Sequence, residues 1–198
     1  AMSDTENLAL VADIGGTNAR FALADIRSGM PRLFQHETLP TSDYASLPHA
    51  AEYYLTKRGV KPTLASFAVA CPVAGDEIRL TNRAWAFSQR ELQASLGLSQ
   101  QLVINDFGAA ARAALVIGDE DRVILHGSPA SQRMGPITVI GPGTGLGVAL
   151  LVGDDQQGWH VVETEGGHVS FAPQVEEEQH IAEWVAARHH GRCSNERL

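Results

Sequence analysis

The sequence predicts an α/β protein laid out twice on one plan, and three observations carry that expectation. Strand-like apolar runs alternate with helix-like segments, the pattern of sheets covered by helices. One grammar, an apolar run, a glycine-threonine turn and a second apolar run, occurs at 8–23 and again at 137–152. No low-complexity stretch or long linker separates the halves.

The elements follow in order. Leu8–Ile14 and 20–24 read as a first hairpin, with a third strand at 33–39. Residues 44–58 carry a helical pattern, with Pro48 near the first turn and Gly59 just past the end. The apolar run 64–70 suits a central strand, and 78–81 suits a returning one. Ser88-Gln-Arg-Glu91 is a capping box opening a short helix that Gly97 closes. A strand at 102–105 leads into a helix at 107–116. The segment 117–122 is the expected boundary, giving domains 1–118 and 119–198. Beyond it come a strand at 123–125, a loop at 128–135, the second hairpin and an amphipathic helix at 176–190.

Composition excludes several classes. The chain has 198 residues, 44% of them hydrophobic, enough to bury a sizeable core. A net charge of −8 disfavours nucleic acid or an anionic membrane as partner. Apolar runs fall far short of the ~20 residues a membrane helix needs. No basic-then-apolar signal opens the chain, Ala1 reads as a scar ahead of a natural Met2, and the only cysteines are Cys71 and Cys193. The expectation is a cytoplasmic protein with reduced thiols.

The glycine turns admit two readings. Asp13-Ile-Gly-Gly-Thr-Asn18 is neither a Walker loop nor a dinucleotide fingerprint, since each needs a different glycine spacing. It is either an ordinary hairpin with glycines at positive φ, or an anion cradle presenting backbone N–H groups. Gly141-Pro-Gly-Thr-Gly145 poses the same choice. The duplication favours two cradles gripping a polyphosphate, and hence phosphoryl transfer. Asp13 ends an apolar strand, where a buried carboxylate is costly unless it faces a cation such as magnesium or a hydrated phosphate.

Asp13-Ile-Gly-Gly-Thr-Asn18 together with Gly143-Thr-Gly-Leu-Gly147 resembles the phosphate motifs of actin-like sugar kinases. Ala70-Cys-Pro-Val-Ala-Gly75, Leu80-Thr-Asn-Arg-Ala-Trp-Ala-Phe-Ser88, Ile104-Asn-Asp-Phe107 and Glu165-Gly-Gly-His168 are similar to bacterial glucokinases of the hexokinase-like type. The motifs run in order over essentially the whole chain. The resemblance implies the actin-like (ribonuclease H-like) ATPase fold: duplicated mixed-sheet domains with a cleft between them, the second incomplete. It implies ATP-dependent phosphorylation of glucose at the 6-hydroxyl, the opening step of glycolysis.

On that resemblance the nucleotide falls to Ala12, Asp13, Ile14, Gly15, Gly16, Thr17, Asn18, Gly143, Thr144 and Gly145, with Mg²⁺ at Asp13. Asp106 is either a helix N-cap or the general base for the sugar hydroxyl, and the resemblance favours the base. Asn105, Asp106, Glu165, His168 and Glu196 are the implied sugar contacts. The adjacent His189 and His190 read as solvated surface, and Trp85, Phe87 and Trp184 as packing anchors. Two distant cysteines do not make the zinc motif of related repressor-kinases. The family continues with an adenosine-binding segment and a returning helix, so the chain reads as C-terminally truncated. The open sheet edge invites a homodimer. Alternatives are a non-catalytic sugar-binding fragment or sensor, or a chaperone-like or cytoskeletal ATPase of the same fold.

Overall fold

Ten strands and four helices are laid out in the computed structural model, which describes residues 7–80, 85–128, 135–143 and 145–198. The chain divides into two compact units, Ala1–Asp106 and Phe107–Leu198.

In the first unit, β1 (Leu8–Ile14), β2 (Asn18–Asp25) and β3 (Arg32–Pro40) form an antiparallel meander. After α1 (Leu47–Arg58) the chain enters β4 (Leu64–Val69), which lies parallel to β1. A small hairpin follows, β5 (Glu77–Arg79) with β6 (Ala86–Ser88), and then α2 (Gln89–Ser95). The last strand, β7 (Gln100–Asn105), lies parallel to β4 and completes the order β3-β2-β1-β4-β7.

Apolar runs explain the sheet. Leu10, Ala12 and Ile14 of β1 face a core shared with Phe21, Leu23, Phe67 and Val69, while the intervening Asp13 is exposed. Helix α1 begins where the Ser46 hydroxyl accepts the His49 N–H at 3.4 Å, with Pro48 in its first turn. It ends at Gly59, whose φ of 65° is the left-handed conformation of a helix stop. Tyr54 is wholly buried, stacks on Phe21 at 5.3 Å and donates its hydroxyl to the Gln35 carbonyl at 2.8 Å. Each such large side chain contributes about 1.5–3 kcal/mol by leaving water.

In the second unit, α3 (Asp106–Ala113) precedes β8 (Ile137–Pro142), β9 (Leu146–Asp154) and β10 (Gly158–Thr164), an antiparallel sheet of order β10-β9-β8. Helix α4 (Glu176–Ala186) follows. Ala111, Ala149 and Leu151 form the core, with Phe107, Trp159 and Val161 packed against them. The Phe107 ring lies over β8 and β9 where both are glycine: a Cβ at Gly141 would stand 2.6 Å from it, and one at Gly147 closer still.

The second compact unit takes in Phe107, Ala111 and Leu115 because they pack against its sheet. Several expectations of secondary structure and packing are corrected. Residues 123–125 are not a strand; Val123 and Leu125 stand 84% and 93% exposed, with no sheet neighbour among the described residues. The helix expected at 107–116 ends at Ala113 in a short turn. The strand expected at 78–81 is Glu77–Arg79, and Thr81 lies outside the described residues, as does most of the 128–135 loop. Trp85 and Phe87 are buried as expected, but Trp184 is 60% exposed and carries the Arg188 guanidinium on its ring at 3.6 Å. β10 was not anticipated. Among the described residues no helix is long and apolar enough to cross a membrane.

Candidate active site

The carboxyl edge of the first sheet gathers its candidate residues by register. Ile14 pairs with Val69 and Val69 with Asn105, so the glycine turn after β1 and the Asn105-Asp106 pair after β7 share one edge. Two strand spacings separate them, roughly 10 Å. In open α/β sheets ligands bind outside this edge.

The first glycine turn is pinned by hydrogen bonds to its own main chain and to Thr41. Gly15 N–H donates to the Asn18 carbonyl at 2.9 Å, closing the hairpin. The buried Thr41 hydroxyl shares its one proton between the carbonyls of Gly16 (2.9 Å) and Thr17 (3.1 Å), and its N–H donates to the Thr17 carbonyl. A trans peptide sets N–H opposite C=O, so the Thr17 and Asn18 amides face away from Thr41. Gly15, Gly16 and Gly143 all lie outside the left-handed region. Among the described residues a Cβ would meet nothing nearer than Asn18 O at 3.4 Å from Gly15, and only Gly145 O at 3.9 Å from Gly143. Neither backbone conformation nor packing demands glycine at 15 or 143. The bare main chain is the feature an anion uses. Thr144 lies outside the described residues.

Asp13 departs from its expected setting. Its carboxylate is half-exposed and 2.8 Å from the Arg20 guanidinium, so no cation is needed to satisfy a buried charge. Ala12 and Ile14 point into the core. Arg20 is the residue that sequence reasoning missed, although a hairpin centred between Gly16 and Thr17 sets it opposite Asp13. Thr41 gives no such signal, because only the tertiary fold brings it to the turn.

Asn105 ends β7, and its side-chain amide donates to the Cys71 carbonyl at 3.2 Å, which fixes the direction of the carboxamide. Asp106 opens α3. The Cys71 thiol is buried, and burial first, then the Asp106 charge, push its pKa up. It is a neutral packing group rather than a nucleophile.

In the second unit, β10 delivers Glu165 and a tight turn at Gly166–His168. Thr164 Oγ1 donates to Val148 O at 2.8 Å and accepts the Gly166 N–H at 3.2 Å, tying the turn to β9. Phe171 N–H donates to Cys193 O, and Asn195 N–H to Val169 O, bringing the chain end alongside. The result places His168 Nε2 3.1 Å from Glu196 Oε2 and His168 Nδ1 3.5 Å from Glu165 Oε2. The Glu196 side chain borders Gly145 at the end of the second glycine turn. Three polar groups thus converge beside that turn and stay partly open to solvent. Among the described residues no three His, Cys, Asp or Glu side chains form a metal cluster.

This architecture is that of the sugar kinases with an actin-like ATPase fold. The structure of a glucokinase from an Antarctic psychrotroph superposes with a TM-score of 0.83 at 36% identity, over 96% of this chain and 59% of that one. A glucokinase from Balamuthia mandrillaris, solved with glucose, shares the fold at TM-score 0.67 and 22% identity, over 99% of this chain and 60% of that one. The glucokinase of Xanthomonas euvesicatoria pv. vesicatoria is 47% identical over 96% of this chain and 57% of its own length. The family model for glucokinase matches residues 10–198, and the chain belongs to the glucokinase family. It spans 57% of the length of the curated relatives it matches.

Proposed function

We propose that this protein transfers the γ-phosphoryl group of ATP to the 6-hydroxyl of glucose. The observation that carries the reading is the convergence of Glu165, His168 and Glu196 beside the second glycine turn: hydroxyl-binding groups set against a phosphate cradle. A sugar site needs several directional donors and acceptors, and rejects analogues that leave them unpaired.

In this mechanism Asn105, Glu165, His168 and Glu196 orient the ring. Asp106 accepts the 6-hydroxyl proton as the oxygen–phosphorus bond forms and the bond from γ-phosphorus to the bridging oxygen breaks, releasing ADP. The main chain of Gly15, Gly16, Thr17, Asn18, Gly143, Thr144 and Gly145 holds the phosphates. The donor set suits a Mg²⁺ that arrives on the triphosphate, which needs one or two carboxylates and keeps several waters. Asp13 would hold it directly or through water, and the ion would neutralise phosphate charge. Arg20 keeps the Asp13 carboxylate in place. The setting we propose is the cytoplasm, with glucose and nucleotide as partners and a homodimer formed through an open sheet edge.

The test compares Asp106→Ala with wild type in forming glucose 6-phosphate from Mg-ATP. Turnover is expected to fall by about 10²–10⁴-fold while glucose still binds. Near-normal turnover would remove Asp106 from the chemistry.

A further inference from the structure

We propose that Gly145 is a positioning residue for the sugar pocket, glycine because the Glu196 carboxylate fills the space a side chain there would take. The proposal takes the identity of the sugar from the glucokinase reading; the geometry stands without it. The φ of Gly145 lies outside the left-handed region, so its backbone does not call for glycine. A Cβ at this position would stand 2.8 Å from Glu196 Cδ, and 3.1 Å from both its Cγ and its Oε1. Glu196 in turn reaches His168 Nε2 at 3.1 Å.

The neighbouring glycines sharpen the assignment. Among the described residues a Cβ at Gly143 meets only Gly145 O at 3.9 Å, so no described side chain fills that position. At Gly167 a Cβ would strike the Leu146 carbonyl, and the backbone itself would have to move. At Gly145 the group that yields is the far end of one flexible side chain. An alanine there leaves the fold intact and drives the Glu196 carboxylate off His168. One turn therefore holds two kinds of glycine: both lend their main chain to the phosphate, and the missing side chain of Gly145 also makes room for Glu196 on the acceptor side.

Wild type, Gly145→Ala, and the double variant Gly145→Ala/Glu196→Asp decide the matter, because the shorter aspartate restores the lost room. Two quantities are measured: glucose affinity by calorimetry, and the His168 imidazole nitrogen resonances by NMR. Gly145→Ala is expected to shift the His168 resonances, leave the thermal midpoint in place and weaken glucose binding by about tenfold or more. ADP–Mg affinity falls less than glucose affinity, and the double variant moves both measured quantities back toward wild type. Unmoved His168 resonances in Gly145→Ala, a double variant no better than the single, or loss of nucleotide with glucose retained would each overturn the proposal. If wild type takes up no glucose while the His168 resonances still shift and recover, the sugar reading fails and the positioning role is upheld.

Discussion

His168 Nε2 lies 3.1 Å from Glu196 Oε2, and the bridge pairing Ser170 with Ser194 brings their two segments side by side. That pairing turns two exposed segments into one polar surface beside the second glycine turn. Glu196→Ala is expected to lower glucose affinity about 10–100-fold, since hydrogen bonds to charged groups are worth about 1.5–3 kcal/mol. Calorimetry checks it. Unchanged affinity would take Glu196 out of the pocket.

Gly147 tests the packing that carries the second hairpin. With the Phe107 ring over it, Gly147→Ala is expected to destabilise by about 1–3 kcal/mol, the usual cost of overpacking. Urea unfolding measures this. Wild-type stability would mean that the ring gives way without cost.

Gly59 tests backbone strain by itself. A Cβ there meets nothing within 4 Å, but φ is 65°. Gly59→Ala is expected to cost about 1–2 kcal/mol, from the left-handed conformation alone. A neutral substitution in thermal unfolding would contradict that.

Asp76 sets a pH dependence. The Ser88 hydroxyl (2.7 Å) and the Arg90 N–H (3.0 Å) donate to its carboxylate, and they hold its pKa below the ordinary aspartate value. A depressed folded pKa means stability that is complete above the unfolded value and drains as pH falls through the folded one. Stability is therefore expected to decline below about pH 4, and Asp76→Asn to flatten that decline in urea titrations between pH 5 and 3. Identical slopes for the two proteins would contradict the assignment.

Much of the first unit was legible because its signals are local. Pro48 and Gly59 bracket α1, Ser88 opens α2, and a near-continuous apolar run marks β1. β10 was missed because Gly158-Trp-His-Val-Val-Glu-Thr164 mixes apolar and polar residues, and its hairpin depends on Asp154 accepting the Gln156 and Gln157 N–H groups. The segment 123–125 misled because its apolar residues find no partner among the described strands. At the candidate site, residue types were readable but their partners were not. Arg20 on Asp13, Thr41 beneath the first glycine turn and the Cys71 carbonyl on Asn105 are tertiary facts. Hairpin symmetry alone would have disclosed the first.

The central claim is that these residues form a glucose site, and a calorimetric titration of this chain with glucose, with and without Mg-ATP, tests it most directly. Saturable binding of one glucose per chain, weakened by Glu196→Ala and retained in Asp106→Ala, is the expected result. No glucose binding by the wild-type chain, or binding indifferent to Glu196→Ala, would contradict it.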